Sequence, residues 1–318
     1  MTRIRLAEKS SGLKVIGHLG AIITVMAWGV SFISTKVLMV DGNLTPVEMF
    51  SYRFLAAYIL LLLFTCRKSL LSLNWRDELT FFACGVCACS LYFITENFAL
   101  ENTTAANVSM LASTSPLFTT ALIAFIYKQK IGSSALIGSL IALVGVGCII
   151  FNSGEGLELH PKGDLLAICA SLSWAVYGLM IKRVLPHYNG FFITRKIFFY
   201  GVITSLPLLL TQSEPLHYDV LFDFAHSQYI LNFLFLVLIC SAGAYVIWNE
   251  AMKIIGPVTT NNYLYGQPVV TMIAASIFLS EGITLLGSLG CVLIIGGLVV
   301  TDHLPNRRKI PVSDSDPT

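Results

Sequence analysis

Apolar runs of about 20 residues, each long enough to cross a bilayer as a helix, recur along nearly the whole chain and are divided by short polar breaks. They predict about ten transmembrane helices, over 18–40, 46–66, 79–100, 104–126, 133–152, 162–184, 191–211, 229–251, 258–279 and 283–303. No stretch remains for a sizeable soluble domain, so the expected fold class is an all-α membrane protein. The first run is too long for a signal-peptide core and no small-residue cleavage site follows it, which predicts a retained helix.

The runs are not independent of one another. Trp28 to Lys36 recurs as Trp174 to Lys182, and the same ungapped alignment matches Gly17 with Gly163 and Ser31 with Tyr177. Asn97 to Pro116 recurs as Asn249 to Pro268, matching Ala99 with Ala251, Gly138 with Gly290 and Gly145 with Gly297. Apolar helices can share Gly, Trp and Pro by chance, but two ordered anchors favour duplication. Each copy holds an odd number of spans, about five, so the second enters the bilayer from the opposite face as an inverted repeat. The expected layout is a tail over 1–17, a first five-helix repeat over 18–152, an inverted second over 162–303 and a tail over 304–318. Gly138, Gly145, Gly147, Gly287, Gly290, Gly296 and Gly297 put small residues on spans five and ten, where close helix packing is expected.

Composition agrees, with 55% hydrophobic and only 12% charged residues. The net charge of +2 says little, but its distribution is lopsided. Arg3, Arg5, Lys9 and Lys14 precede span one, Arg67, Lys68 and Arg76 follow span two, Lys128 and Lys130 follow span four, and Lys182 and Arg183 follow span six. Lys253 follows span eight and Arg307, Arg308 and Lys309 follow span ten, whereas the other loops carry Glu101, Glu155, Glu158, Glu214, Asp219, Asp223 and Glu281. The excess of Lys and Arg marks the cytoplasmic side, so both termini are expected there. All eight cysteines fall in or at the ends of spans, which implies no disulfide framework. Cys84, Cys87 and Cys89 have metal-like spacing, yet within an apolar helix they read as small hydrophobes.

Polar residues inside hydrocarbon need a partner or a wet cavity, which makes them the candidates for function. Span four carries Asn107, Ser109, Ser113, Thr114 and Ser115, span nine carries Asn261, Asn262, Tyr263, Tyr265 and Gln267, and each then meets a proline, Pro116 or Pro268. The prolines are candidate hinges, each removing a helical hydrogen bond near the midplane. Trp28, Ser31 and Thr35 share a face of span one, and Trp174 with Tyr177 repeats it on span six. The candidate substrate-binding set is Trp28, Ser31, Asn97, Ser113, Trp174, Tyr177, Asn249, Tyr265 and Gln267. Glu96, with Lys36 and Arg53, and Glu250, with Lys253, Lys182 and Lys196, are candidate outer and inner gates or proton-coupling sites whose ion pairs would form alternately. The plainer alternative pairs Glu250 with Lys253 one turn on and lets Lys36 snorkel to the surface. There is no GxxxxGK[ST], HExxH or GxSxG, so neither nucleotide hydrolysis nor recognisable hydrolase chemistry is supported, and no cofactor is implied.

The blocks AWGVSFISTK, YFITENFAL and ANVSMLASTSPLFT, with their partners SWAVYGLMIK, AYVIWNEAM and YLYGQPVVT, resemble the EamA-type drug/metabolite transporter superfamily. The resemblance implies two inverted five-helix halves around a central cavity lined by spans one, three, four, six, eight and nine. It also implies a non-enzymatic secondary carrier in a bacterial inner membrane, with efflux of a small organic metabolite or drug favoured. Small multidrug-resistance relatives use a glutamate in the first helix, which this chain lacks, so their proton exchange does not carry over. Phosphate-carrying relatives use basic cavity residues, and spans four and nine have no Lys or Arg before Lys128. A neutral or zwitterionic substrate is therefore expected. The rivals are a flippase-like carrier of a lipid-linked substrate and a non-transporting sensor or scaffold. The expected partners are the small molecule, the bilayer and a coupling proton or ion, with no nucleic acid.

Overall fold

The computed structural model describes residues 2–65, 69–103, 108, 111–126, 128, 132–152, 161–212, 215–222, 226–278 and 285–303. Helix α1 (Thr2–Lys36) runs into a π turn at Val37–Asp41, and α2 is Pro46–Phe64. Helix α3 (Trp75–Asn102) contains a π segment at Val86–Leu91. Helices α4 (Ser115–Ile126) and α5 (Ser133–Asn152) complete the first half. In the second half, α6 is Pro161–Arg183, α7 is Gly190–Leu210, and α8 (Ser227–Ile255) contains a π segment at Phe235–Gly243. Helix α9 covers 257–278 in three pieces, Pro257–Asn262, a 3-10 turn Tyr263–Gly266 and Gln267–Phe278, and α10 is Leu285–His303. Among the described residues there is no strand, as a bilayer requires of a chain whose backbone bonds must close within each span.

By length and composition α1, α2, α3, α6, α7 and α8 can each cross a membrane, while Ser115–Ile126, Ser133–Cys148 and Leu285–Val300 are shorter apolar helices. Local sequence starts these helices where it should. Thr45 caps α2 in a reciprocal capping box with Glu48, with Pro46 in the first turn. Asn74 caps α3 by accepting from Asp77 N, and Asn189 caps α7 by accepting from Phe192 N. Gly256, at φ +86°, ends α8 in a conformation a side chain would strain, and Pro257 opens α9 directly after it.

Equivalent helices of the two halves run in opposite directions. In the pair α2 and α7, Thr65 meets Arg195 while Thr45 meets Gln212 just past the far end of α7. In the pair α5 and α10, a Cβ on Gly145 would lie 2.6 Å from Gly290 O, and one on Gly297 2.5 Å from Gly138 O. Both pairs are therefore antiparallel, which is the inverted arrangement. Helices one and six each pack against the third helix of the other half. Gly17 of α1 abuts Ile255 at the end of α8, and its repeat partner Gly163 of α6 abuts Thr103 at the end of α3. Four of the predicted packing glycines thus meet at the α5–α10 crossing, but Gly147 and Gly296 face open space. Apolar attraction between helices is absent in lipid, so this backbone-to-backbone approach carries the packing.

The outer surface is apolar where lipid would touch it. Ile22, Ile23 and Met26 of α1, Leu136, Leu140 and Val144 of α5, and Leu289, Val292 and Ile295 of α10 are all exposed. An apolar surface this extensive would not survive in water, and it fits the hydrocarbon belt of a membrane. The main core lies inside, built from α1, α2, α3, α6, α7 and α8 around Phe54, Trp174, Tyr245 and Trp248.

Candidate functional site

The chemistry gathers at the centre of the bundle. Trp28 and Trp174, the repeat-equivalent tryptophans, meet edge to face with ring centroids 5.3 Å apart. Because each is the other's counterpart, their contact lies on the axis relating the halves. Tyr245 packs on both, with centroids 5.3 and 5.9 Å away, and Tyr92 packs on Trp174 at 5.1 Å. Around this cluster lies a small cavity of ≈ 20 Å³, room for about one water. Its walls are Trp28, Ser31 and Phe32 of α1, Arg53 of α2, Tyr92, Phe93 and Glu96 of α3, Ala112 and Ser115 about the start of α4, Trp174 of α6, Tyr245 of α8, and Leu264 and Gln267 of α9.

Backbone irregularities hold these rings in place. A π segment shifts the helical register and leaves a carbonyl free to accept from outside its own helix. In α8 the Cys240 carbonyl accepts from Trp28 Nε1 at 2.8 Å, and at the matching position of α3 the Ala88 carbonyl accepts from Tyr245 OH at 2.9 Å. Ser173 on α6 donates to the neighbouring Cys87 carbonyl at 2.6 Å. The remaining indole, Trp174 Nε1, donates to Asn261 Oδ1 at 3.0 Å, and Asn261 Nδ2 donates to Thr119 at 2.7 Å. Trp28 and Tyr245 are thereby satisfied across the boundary between halves, and Trp174 within its own half.

Four of the residues singled out for ligand contact line the cavity: Trp28, Ser31, Trp174 and Gln267. The others lie elsewhere. Asn97 Nδ2 donates to Pro46 O at 3.0 Å, and Asn249 Nδ2 donates to Thr194 at 3.1 Å, so each asparagine ties the third helix of its half to the start of the second. Tyr177 OH donates to Asn249 Oδ1 at 2.6 Å, while Tyr265 belongs to a separate core with Ala142, Val146 and Ile294. Ser113 is buried in the turn before α4. Asn107 and Ser109 lie outside the described residues.

Pro116 and Pro268 do not interrupt continuous helices. Each is the second residue of a helix beginning afresh, at Ser115 after a turn and at Gln267 after the 3-10 piece. A first-turn proline loses no helical bond, because the N–H it lacks would have had no partner there. The break precedes the proline, and the two residues just ahead of the prolines, Ser115 and Gln267, face the cavity.

Among the described residues, the expected pairs of Glu96 and Glu250 with the candidate gate cations are not formed. Lys36 is exposed in a groove at the end of α1 with Glu101, and Glu96 instead accepts from Tyr92 OH at 2.7 Å inside the cavity. Arg53 lines the same cavity but donates its Nε to Ser241 at 2.7 Å, and its guanidinium lies over Phe54 and Phe93. Glu250 accepts from Gly190 N at 2.5 Å, while Lys253 donates to Tyr188 O at 3.3 Å. Lys196 reaches Glu78 at 2.5 Å, and Lys182 lies exposed beside Arg183 in a groove with Trp75 and Arg76. Each of these groups is instead taken up by another partner: Arg53 by Ser241, Glu250 by Gly190 N, Lys253 by Tyr188 O and Lys196 by Glu78.

Other residues close the two ends. At the end that holds Arg76, Lys182 and Arg183, Glu78 binds Lys196, Tyr200 and Ser72, joining α3 to α7. Nearby, Tyr188 OH accepts from Leu73 N at 2.7 Å and donates to Asp77 at 2.9 Å. Burial raises the Tyr188 phenol above its ordinary pKa, and Asp77 adds to the shift, so it remains a donor. At the opposite end Glu48 accepts from His217 N at 2.7 Å and lies 3.3 Å from His217 Nδ1, while Gln212 donates to Thr45 at 2.8 Å. Both sets of contacts bridge the halves. Tyr92, Phe93 and Tyr245 were not singled out as wall residues, although they stand in the blocks YFITENFAL and AYVIWNEAM. Their signal was the aromatic residues flanking each Asn97-type block.

Comparison with known proteins gives the same architecture. The EamA-like transporter family matches residues 15–151 and again 161–301. An uncharacterized transporter of Clostridium kluyveri is 27% identical over 300 residues, covering 92% of this chain and 94% of its own length. A probable amino-acid metabolite efflux pump of Escherichia coli is 24% identical over 289 residues, covering 88% and 92%. A solved crystal structure shares the fold, with a TM-score of 0.69 at 18% identity over 92% of this chain and 96% of that one. With its doubled helical unit, its lipid-facing surface and its polar centre, the chain is an integral membrane transporter and belongs to the EamA-like transporter family.

Proposed function

We propose that this protein is a secondary carrier that exports a small neutral or zwitterionic organic metabolite by alternating access. One observation carries the reading: the central cavity is walled by both halves and is too small, at ≈ 20 Å³, for any organic substrate. A solute can reach Trp28, Trp174 and Gln267 only when the halves separate at one end, and a distinct closure at each end lets the two ends open in turn. Efflux is favoured by the relatives named as amino-acid metabolite efflux pumps. The charge bias supports a cytoplasmic location for both termini and for the end with Arg76, Lys182 and Arg183.

Proteoliposomes containing only this chain test the proposal. Counterflow of a labelled metabolite that depends on the protein and saturates is expected, and a chain that binds solutes without moving any of them is a sensor or scaffold instead. Cysteines placed at Asn43 and His187, exposed at opposite ends, should label from opposite sides of intact cells. Labelling of both from one side would remove the inverted topology.

A further inference from the structure

Among the described residues, two cavity-facing polar atoms have no hydrogen-bond partner. Arg53 is only 3% exposed, yet its Nη2 makes no hydrogen bond, and Ser115, 2% exposed, leaves its Oγ unpaired. Both line the central cavity. Charged residues at membrane depth are costly and are kept where something pairs with them, and an unpaired guanidinium N–H is costlier still. Ser115 is also the first residue of the twelve-residue helix α4, so the positive end of that helix lies at the cavity. Its repeat counterpart Gln267 presents an amide that makes no side-chain hydrogen bond among the described residues. On the other side, Glu96 offers one oxygen to Tyr92 and leaves the second without a hydrogen bond among the described residues.

We infer that Arg53 and Ser115 form the receptor for a carboxylate on the transported molecule, and that Glu96 receives an ammonium group on the same molecule. The substrate class is a small amino-carboxylate zwitterion whose apolar remainder lies against Trp28, Trp174 and Tyr245. An arginine offers the paired donors a carboxylate matches, and a hydroxyl at a helix start adds a third. The opposite charge of Glu96 disfavours a bare anion, and Arg53 disfavours a bare cation, so the pair selects for both groups together. This assignment deepens the carrier reading and rests on it.

The test measures binding to the full-length purified protein, by apparent melting temperature and by titration, with L-alanine and L-leucine against their amides. The amino acids are expected to bind at least about tenfold more tightly than the amides, the scale of one charge-assisted hydrogen bond. Ser115→Ala removes a hydroxyl that bonds to nothing in the ligand-free protein. It should leave the unliganded melting temperature unchanged and weaken the amino acids by about three- to tenfold, more than it weakens the amides, whose carbonyl is a weaker acceptor than a carboxylate. Arg53→Gln should abolish the preference and Arg53→Lys keep some of it, with Ser115→Ala standing alone if Arg53→Gln does not fold. Equal affinity for acid and amide, or an unchanged preference in Ser115→Ala, overturns the receptor. So does a protein that carries neutral or cationic solutes in counterflow but binds no amino acid, which leaves the carrier standing. Neither binding nor counterflow of any solute overturns both.

Discussion

Trp28 and Trp174 touch each other at the centre of the molecule, their rings 5.3 Å apart and nearly perpendicular, although they lie on the first helices of opposite halves. Equivalent residues can touch only on the axis that relates them, so the duplicated tryptophan marks where the halves meet. Each ring is fixed by a different neighbour, Trp28 by the Cys240 carbonyl and Trp174 by Asn261. The symmetry therefore holds for the rings and fails for their anchors, which leaves the cavity unequal on its two sides.

Trp28→Phe should lower both stability and transport. The phenyl ring keeps most of the aromatic contact but strands the Cys240 carbonyl in a dry site, at a cost of about 1–3 kcal/mol. Thermal unfolding in detergent and counterflow measure the two effects. An unchanged melting temperature would mean that the π segment finds another partner.

Glycines on α5 and α10 divide sharply by position. Gly145→Ala puts a methyl 2.6 Å from the Gly290 carbonyl and should destabilise by about 1–3 kcal/mol or more, whereas Gly147→Ala meets nothing within 4 Å and should be neutral. Comparing their melting temperatures separates packing from helix propensity, because both changes favour a helix equally.

Lys196 and Glu78 form a bridge between halves at 2.5 Å, with the lysine side chain 9% and the glutamate 30% exposed. Removing either partner leaves a partly buried charge behind, while removing both relieves it. A double-mutant cycle of Lys196→Met and Glu78→Gln should give a coupling of about 1–3 kcal/mol, reduced from the fully buried case by the exposure of Glu78. Additive losses would show the pair to be incidental.

The order of helices and the duplication were legible because lipid imposes long apolar runs and because Trp28, Asn97 and Pro116 kept counterparts in the second half. Orientation about each helix axis was not. In a helix that is apolar all round, nothing in the 3.6-residue pattern says which face meets lipid, so Arg53 read as a gate cation rather than a cavity wall. The π segments also left no mark, since a single extra residue in a turn does not alter an already uniform run. Asn97 and Asn249 were conspicuous polar residues in hydrocarbon, and both proved to bond neighbouring helices. Polarity at membrane depth thus located the centre of the bundle, while contact alone divided ligand-facing groups from fasteners. The two end closures went unread because Glu48, His217, Glu78 and Lys196 belong to four separate segments with no repeat between them.

The most direct test of alternating access locks the halves together. Gly20 of α1 and Ala251 of α8 come from different halves, and a Cβ on Gly20 would lie 3.8 Å from that of Ala251, the separation a disulfide needs. In proteoliposomes the double variant Gly20→Cys and Ala251→Cys should carry substrate when reduced, lose counterflow when oxidised and regain it on reduction, with the unaltered chain indifferent to both treatments. Full counterflow by the completely cross-linked protein would contradict the account, because substrate would then be crossing without the halves separating.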